Sequence, residues 1–393
     1  MAAEIPESPD MTLPPSLEEC AFRDLYEKET YEFDTADGWR LVITRYQSRP
    51  QPWRQPFRGV PALLVHGFSQ NRHAWTAGDF VKRLVYRGLD VHILELRGHG
   101  KSHLELQEDA ALRFERGVPK DWDYGWDFSD YFLTDVPTAI EAVKAKTGTT
   151  ELLYIGHSMG GIIGYGMAST RDDLLGLMNL GSPLDLASES LLLRAVAQLE
   201  PLTPVLKWVG HTVGVGIESI RALVPGQEAS SLHVNAVPMD VLLGRLYRSL
   251  ALAEAGSPRK LPRGIRLFSP GRARPEHVRW LLERGEDKEP YRVLRTFARW
   301  IRRRELKCPR SLFDFRDAVR RIEIPMVVIC GSHDILAGEE STRMAFDRAS
   351  SDYLIWRRLD GDGHIDLTVG DCTEEIAREL DGLLAHATGP VRP

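Results

Sequence analysis

The sequence predicts an α/β fold: a mostly parallel central sheet with helices on both faces and a large helical cap inserted into it. Three observations carry that expectation. Short, wholly apolar runs such as Ala62-Leu63-Leu64-Val65 and Leu174 to Leu180 alternate with apolar residues at helical spacing. That is the pattern of strands buried on both faces and joined by helices. The alternation stops from about Pro183 to Arg321 and then resumes, an interruption too long for a loop. Finally, the apolar run Leu152 to Ile155 leads into Gly156-His157-Ser158-Met159-Gly160-Gly161 and a small-residue helix, Ile162 to Ser169. This is a strand, a sharp turn and a helix, with a serine at the turn.

The elements follow in order. Met1 to Ser16 holds Pro6, Pro9, Pro14 and Pro15 among acidic residues, with no basic start and no apolar core. A flexible arm over residues 1–25 is expected, and not a secretory signal. Thr30 to Asp34 and Trp39 to Tyr46 read as a hairpin turning near Asp37-Gly38. Ala62 to Val65 is a buried strand ending in His66-Gly67. Phe80, Val81, Leu84 and Val85 mark a helix, Val91 to Leu96 a strand, and Arg97-Gly98-His99-Gly100 a turn. Phe132, Val136, Ile140 and Val143 define a helix that stops before Gly148. After the serine unit, Leu174 to Leu180 completes the first part of the core, residues 26–182. The cap is expected over 183–321. The second part of the core, 322–393, contributes strands Met326 to Cys330 and Tyr353 to Leu359, with helices Glu339 to Arg348 and Thr373 to Leu384.

Composition bounds the chemistry. The chain has 393 residues, 43% hydrophobic and 27% charged, with a net charge of −6. That is ordinary globular composition and gives no nucleic-acid signal. Four scattered cysteines show neither metal nor disulfide spacing, so reduced thiols and a cytoplasmic location are expected. No window approaches the ~20 apolar residues of a membrane span. Neither a metal nor a cofactor is called for.

Ser158 is the candidate nucleophile. A serine hydroxyl attacks poorly at neutral pH unless an imidazole takes its proton and a carboxylate orients that imidazole. On this architecture the chain order is serine, acid, histidine, and both partners belong in loops after later strands. Asp334 follows the strand Met326 to Cys330, and His364 follows Tyr353 to Leu359. Asp185 is the alternative acid; Asp362 and Asp366 sit too close to His364 in sequence to reach around its ring. A tetrahedral intermediate needs backbone donors, which are expected at Met159 and at Phe68, with Ser69 the alternative to Phe68. Gly67 lets the backbone approach the substrate. His66, His157 and His99 read as structural, and His333 is ambiguous. The stretch from Asp121 to Phe128, dense in acids and aromatics, reads as a loop packed on the sheet edge or, alternatively, a substrate entrance.

Taken together, these residues resemble the α/β-hydrolase superfamily from about Thr30 to Leu384, apart from the cap. Arg97-Gly98-His99-Gly100-Lys101-Ser102 and Gly156 to Gly161 resemble monoacylglycerol-lipase-like serine hydrolases and bacterial esterases. The run from Asp127 through Asp135 to Ile140 and on to Gly161, and the large cap, are similar to acid lipases of the gastric and lysosomal type. Those lipases usually carry glutamine where this chain has Met159, and they are secretory. Polyhydroxyalkanoate synthases share related strings but use a cysteine nucleophile. The resemblance implies a serine hydrolase of carboxylic esters with an apolar acyl part, acting through an acyl-enzyme on Ser158. Acyl transfer or thioester cleavage through the same intermediate is the alternative, and a non-catalytic binding protein on this fold is a third.

The cap divides in two. Leu191 to Ile220 is strongly apolar, and Leu199 and Trp208 are its candidate substrate contacts, although the segment equally suits the cap's own core. Pro258 to Arg321 holds 20 Lys+Arg against 8 Asp+Glu. Arg292, Arg295, Arg299 and Arg302 recur at helical spacing on a different stripe from Leu294, Phe297 and Ile301. Such a helix suits an anionic membrane surface, an anionic substrate or acidic partner, or a solvated face. The expected substrate is a small-molecule ester or lipid; the sequence does not specify an oligomeric state.

Overall fold

In the computed structural model the described residues are 15–187, 235–237 and 267–389. The apolar segment with Leu199 and Trp208 lies outside them. The strands are β1 (Tyr26–Asp34), β2 (Arg40–Ser48), β3 (Pro61–Val65), β4 (Asp90–Glu95), β5 (Leu152–His157), β6 (Leu174–Leu180), β7 (Ala236–Val237), β8 (Glu289–Pro290), β9 (Met326–Gly331) and β10 (Leu354–Leu359). Eight of them form one sheet in the spatial order β1-β2-β4-β3-β5-β6-β9-β10. The β1–β2 and β2–β4 pairs are antiparallel and the others parallel. β7 and β8 pair with each other, antiparallel.

Described helices of seven or more residues are α1 (Phe80–Tyr86), α2 (Leu104–Arg113), α3 (Val136–Thr147), α4 (Met159–Ala168), α5 (Pro275–Arg284), α6 (Tyr291–Arg303), α7 (Glu339–Phe346) and α8 (Thr373–Ala387). The two-residue period of the strands sorts side chains onto two faces. Ala62, Leu64, Leu153, Ile155 and Val327 pack with Val81 and Leu84 of α1 and Leu380 and Leu384 of α8. Leu63, Val65, Tyr154 and Val328 pack with Ile140 of α3, Ile162 of α4 and Ala345 of α7. Helices therefore cover both faces, and the central strands are apolar throughout for that reason.

Two elements differ from expectation. The helix expected from Phe132 begins as a regular helix only at Val136. Before it come one turn at Phe128–Asp130 and a π-turn at Tyr131–Asp135. The wider turn leaves Asp135 facing the sheet edge, where it meets Arg97. On α6, Ile301 of the apolar stripe is buried, whereas Leu294 and Phe297 are half-buried and Val293, Ala298 and Trp300 take the interior. Aromatic packing explains the rotation: the Trp300 ring sits 4.8 Å from Phe128, and Phe297 sits 5.3 Å from Phe68.

β6 and β9 are neighbours in the sheet, so everything between them is inserted at a single crossover. α5, β8 and α6 belong to this insertion. No helix among the described residues is long and apolar enough to cross a membrane. None of the four cysteines is in a disulfide.

A buried guanidinium ties the end of β4 to the start of α3. Arg97 is fully buried and bonds Asp135 through Nε (2.9 Å) and Nη2 (2.6 Å), while Nη1 reaches Asp37 (2.8 Å) and Asp121 (3.1 Å). Asp37, Asp121 and Asp130 come close enough together to suggest a cation site, but the cation among them is Arg97 itself. Trp39 caps the group, with its ring 5.3 Å from the guanidinium and its Nε1 donating to Asp121 (2.8 Å). The aromatic and acidic stretch is thus packed on the sheet edge. Removing one partner of a buried pair leaves an uncompensated charge, which costs about 3–5 kcal/mol. Arg97→Met is expected to lower the urea-unfolding free energy by about that amount, with Asp135 left bare.

Candidate active site

The parallel strands β3, β5, β6, β9 and β10 all deliver their C-terminal ends to one edge of the sheet, where ligands bind in open α/β sheets. Ser158 stands there between β5 and α4, half-buried, with φ 53° and ψ −117°. A non-glycine residue so placed costs of order 1–3 kcal/mol and persists only where its surroundings enforce it. Here the enforcement is steric and hydrogen-bonded. A Cβ on Gly160 would lie 2.2 Å from the Val65 carbonyl oxygen, so only glycine lets α4 press against the end of β3. The Ser158 N–H donates to Leu180 (2.9 Å), and the Ser158 carbonyl accepts from Gly161 and Ile162.

The candidate acid and base, Asp334 and His364, meet at the same edge of the sheet. The Nδ1 of His364 lies 2.8 Å from Asp334 Oδ2. The other carboxylate oxygen of Asp334 accepts from the Leu336 and Ala337 amides, at 2.8 Å each. A carboxylate only accepts, so Nδ1 carries the proton and Nε2 keeps its lone pair. Gly181, directly after β6 and at φ +54°, makes room for the pair. A Cβ there would come within 3.0 Å of Asp334 Oδ2 and 3.1 Å of His364 Nδ1. Asp185, the alternative acid, is engaged elsewhere: it pairs with Arg316 at 3.1 Å and accepts from the Ala187 amide. Asp366 accepts from the Gly363 and Ser269 amides (2.7 Å each), thereby bracing the loop that carries His364.

Gly67 lies directly over the serine, since a Cβ on it would be 3.1 Å from Ser158 Cβ. The loop it begins continues through Phe68, which is half-buried, to Ser69. Met159 opens α4, where a helix leaves its N–H groups without intrahelical partners. The nearby histidines have separate duties. His66 takes a hydrogen bond from the Leu96 amide at Nε2 (3.2 Å), and its Nδ1 lies 2.9 Å from the Gly67 carbonyl. Burial, with His99 close by, lowers it to about 3. His157 donates from Nε2 to the His364 carbonyl (3.1 Å), and burial and His364 hold it well below the usual range. His333 is exposed, with Ser269 Oγ 3.1 Å from its Nδ1.

The sequence does not signal the far side of the loop, which the insertion supplies. The Ser69 N–H donates to Glu289 Oε2 (2.7 Å) and its hydroxyl to Glu286 Oε2 (2.9 Å). These partners lie more than 200 residues away and belong to no motif. Burial pushes the Glu286 carboxyl up to about 8, and the negative charges of Asp287 and Glu289 add to it. Folded Glu286 keeps its proton from about pH 4.5 to about 8, while the unfolded chain gives it up. Stability therefore falls as pH rises through that window. Glu286→Gln keeps the shape without the titration. Its melting temperature is expected to gain on the wild type between about pH 5 and pH 8 in thermal melts.

The family model described as serine aminopeptidase, S33, matches residues 61–232, from β3 through the serine turn. The chain is 27% identical over 155 residues to a tear acid lipase-like protein of Mesocricetus auratus, covering 38% of this chain and 36% of that one. It is 30% identical over 158 residues to lipase member K of Homo sapiens, with the same coverage of each. The chain thus spans little more than a third of the length of these relatives. Among solved structures, DcsB in complex with its substrate analogue superimposes with a TM-score of 0.55 at 13% identity, over 92% of this chain and 100% of that one. Sheet order, serine turn and these likenesses are those of the α/β-hydrolase fold.

Proposed function

We propose that the protein is a carboxylic ester hydrolase that acts through an acyl-enzyme on Ser158. The carrying observation is the His364–Asp334 hydrogen bond, which leaves Nε2 as the basic nitrogen beside the serine turn. The Ser158 hydroxyl attacks the ester carbonyl while His364 Nε2 takes its proton. Asp334 holds the ring and offsets its new charge. The oxyanion is met by the Met159 and Phe68 amides. Ser69, the alternative donor, has its amide committed to Glu289. His364 then protonates the departing alcohol, and water, activated by the same nitrogen, releases the acid. The lipase relatives support the ester reading. An acyl acceptor other than water would make the chemistry acyl transfer, and product analysis with competing alcohols, amines and thiols separates the two.

The insertion over 183–321 is the proposed cap, and Leu199 and Trp208 in its apolar half are the proposed contacts to the acyl chain. Four cysteines outside any disulfide fit a reducing, cytoplasmic setting. The outer face of α6 carries a cleft of about 540 Å³ lined by Arg292, Arg295, Arg299, Arg302 and Arg303. We assign it to an anionic lipid surface, which would bring the cap to an apolar substrate. Co-sedimentation with phosphatidylserine vesicles that salt weakens, and no binding to phosphatidylcholine vesicles, is the expected result.

Ser158→Ala is expected to lower kcat/KM by on the order of 10⁴-fold or more while leaving the fold intact, and a fluorophosphonate should label the wild type alone. Retained activity in the variant would sink the mechanism. Across p-nitrophenyl esters from acetate to palmitate, kcat/KM should rise by up to about fourfold per methylene until the pocket is filled. A maximum at acetate would remove the apolar acyl site.

A further inference from the structure

Ser69 is the one residue of the loop over the serine that sits in the left-handed region, at φ 56°. Such a conformation in a non-glycine residue has to be held from outside. The holding is done by the insertion, 220 residues away in sequence. Both backbone groups of Ser69 are taken: its N–H by Glu289 Oε2, and its carbonyl by the Asp287 amide at 2.7 Å. Next to it, the Asn71 amide donates to the Gly285 carbonyl (3.2 Å), and the Asn71 side chain donates to the Arg284 carbonyl (2.8 Å) and Asp287 (2.9 Å).

Glu289 is the centre of this seam. Its side chain is fully buried and each oxygen has a partner. Oε2 faces the Ser69 amide and His99 Nε2 (3.2 Å), and Oε1 accepts from the Tyr131 hydroxyl (2.8 Å). Tyr131 in turn accepts from Trp126 Nε1 (2.8 Å). The other nitrogen of His99 lies 3.0 Å from the Arg97 carbonyl. Both ring nitrogens therefore face acceptors, which requires the doubly protonated ring. Burial opposes that charge, but Glu289 outweighs it and pushes His99 up to about 9. A buried ion pair seldom adds net stability; what it supplies is fixed geometry. The geometry fixed here is the peptide next to Phe68, whose ring is itself braced by Phe297 of α6.

We propose that Glu289 is a positioning residue for ester hydrolysis. Its carboxylate, neutralised by His99 and aligned by Tyr131, locks the Ser69 amide and so directs the Phe68 N–H at the oxyanion. The insertion thereby completes the catalytic apparatus as well as covering it. This rests on the ester-hydrolase reading above.

The test counts active enzyme by fluorophosphonate titration of Ser158 and measures kinetics per labelled site. In Glu289→Gln, kcat should fall about ten- to a hundredfold, with KM changed by less than about twofold, since the oxyanion forms only in the transition state. The inhibition constant of a trifluoromethyl ketone should rise in step with the loss in kcat. Tyr131→Phe, which removes the hydroxyl that donates to Glu289 and accepts from Trp126 but leaves the Ser69 and His99 contacts of Glu289 in place, should show a smaller loss of the same kind, and it decides the matter if Glu289→Gln does not fold. Unchanged kcat per labelled serine in whichever variant folds, with only the melting temperature lowered, overturns the positioning role and leaves the ester reading standing. A wild type that neither labels nor hydrolyses esters overturns both.

Discussion

The arrangement depends on one close approach. α4 can start where it does only because Gly160 has no side chain to meet the Val65 carbonyl. That contact forces Ser158 into its strained conformation and fixes the distance between the ends of β3 and β5. The loop after β3 is then bound to cross above the serine, as Gly67 does, and β6 must end in a residue as small as Gly181 for the Asp334–His364 pair to fit alongside. Strand order contributes the remainder. The parallel-paired strands β3, β4, β5, β6, β9 and β10 present their C-terminal ends on one edge, so residues 158, 334 and 364, far apart in sequence, are carried to the same edge.

Around that edge, polar partners decide what each histidine does. His66 faces an amide donor at one nitrogen, so it must stay neutral. His99 faces a carboxylate and a carbonyl and must be charged. His364 faces a carboxylate at Nδ1, so the ring is oriented with the proton on Nδ1 and the lone pair on Nε2. All three side chains are buried at the same end of the sheet, and burial alone would have made them alike. The difference between a structural, a charged and a proposed catalytic histidine lies in which atoms the neighbouring loops present.

The sequence made the core legible because each core residue is local to an apolar strand. Ser158 and Asp334 each follow a run of four or more apolar residues within a few positions, and His364 lies in the loop after the strand ending at Leu359; a parallel strand can only discharge its next loop at the C-terminal edge. The start of α3 was less legible, because the π-turn before it depends on Asp135 reaching Arg97, a contact that periodicity does not encode. Least legible was the seam between Ser69 and the segment from Arg284 to Glu289. In sequence Glu286, Asp287 and Glu289 look like ordinary surface acids within a basic stretch. Only folding brings Glu289 to complete burial beside His99 and Tyr131. Long-range pairing of a lone carboxylate leaves no periodic trace, so the insertion's part in the site could not be read beforehand.

That seam also bears on how chemistry and specificity divide. An insertion hinged freely on the sheet would vary the substrate while leaving the catalytic edge untouched. Here one rigid piece, running from α5 through β8 to α6, carries Glu286 and Glu289 toward the loop over the serine and sets Phe297 against Phe68. It also holds the arginine-lined cleft on the outer side of α6. A helix of 13 residues is stiff over its ~20 Å length, so its two faces move together. A displacement of α6 would draw Phe297 away from Phe68 and strain the Glu289–Ser69 bond. On the proposed mechanism, the loop over the serine is aligned only while this segment is seated against it.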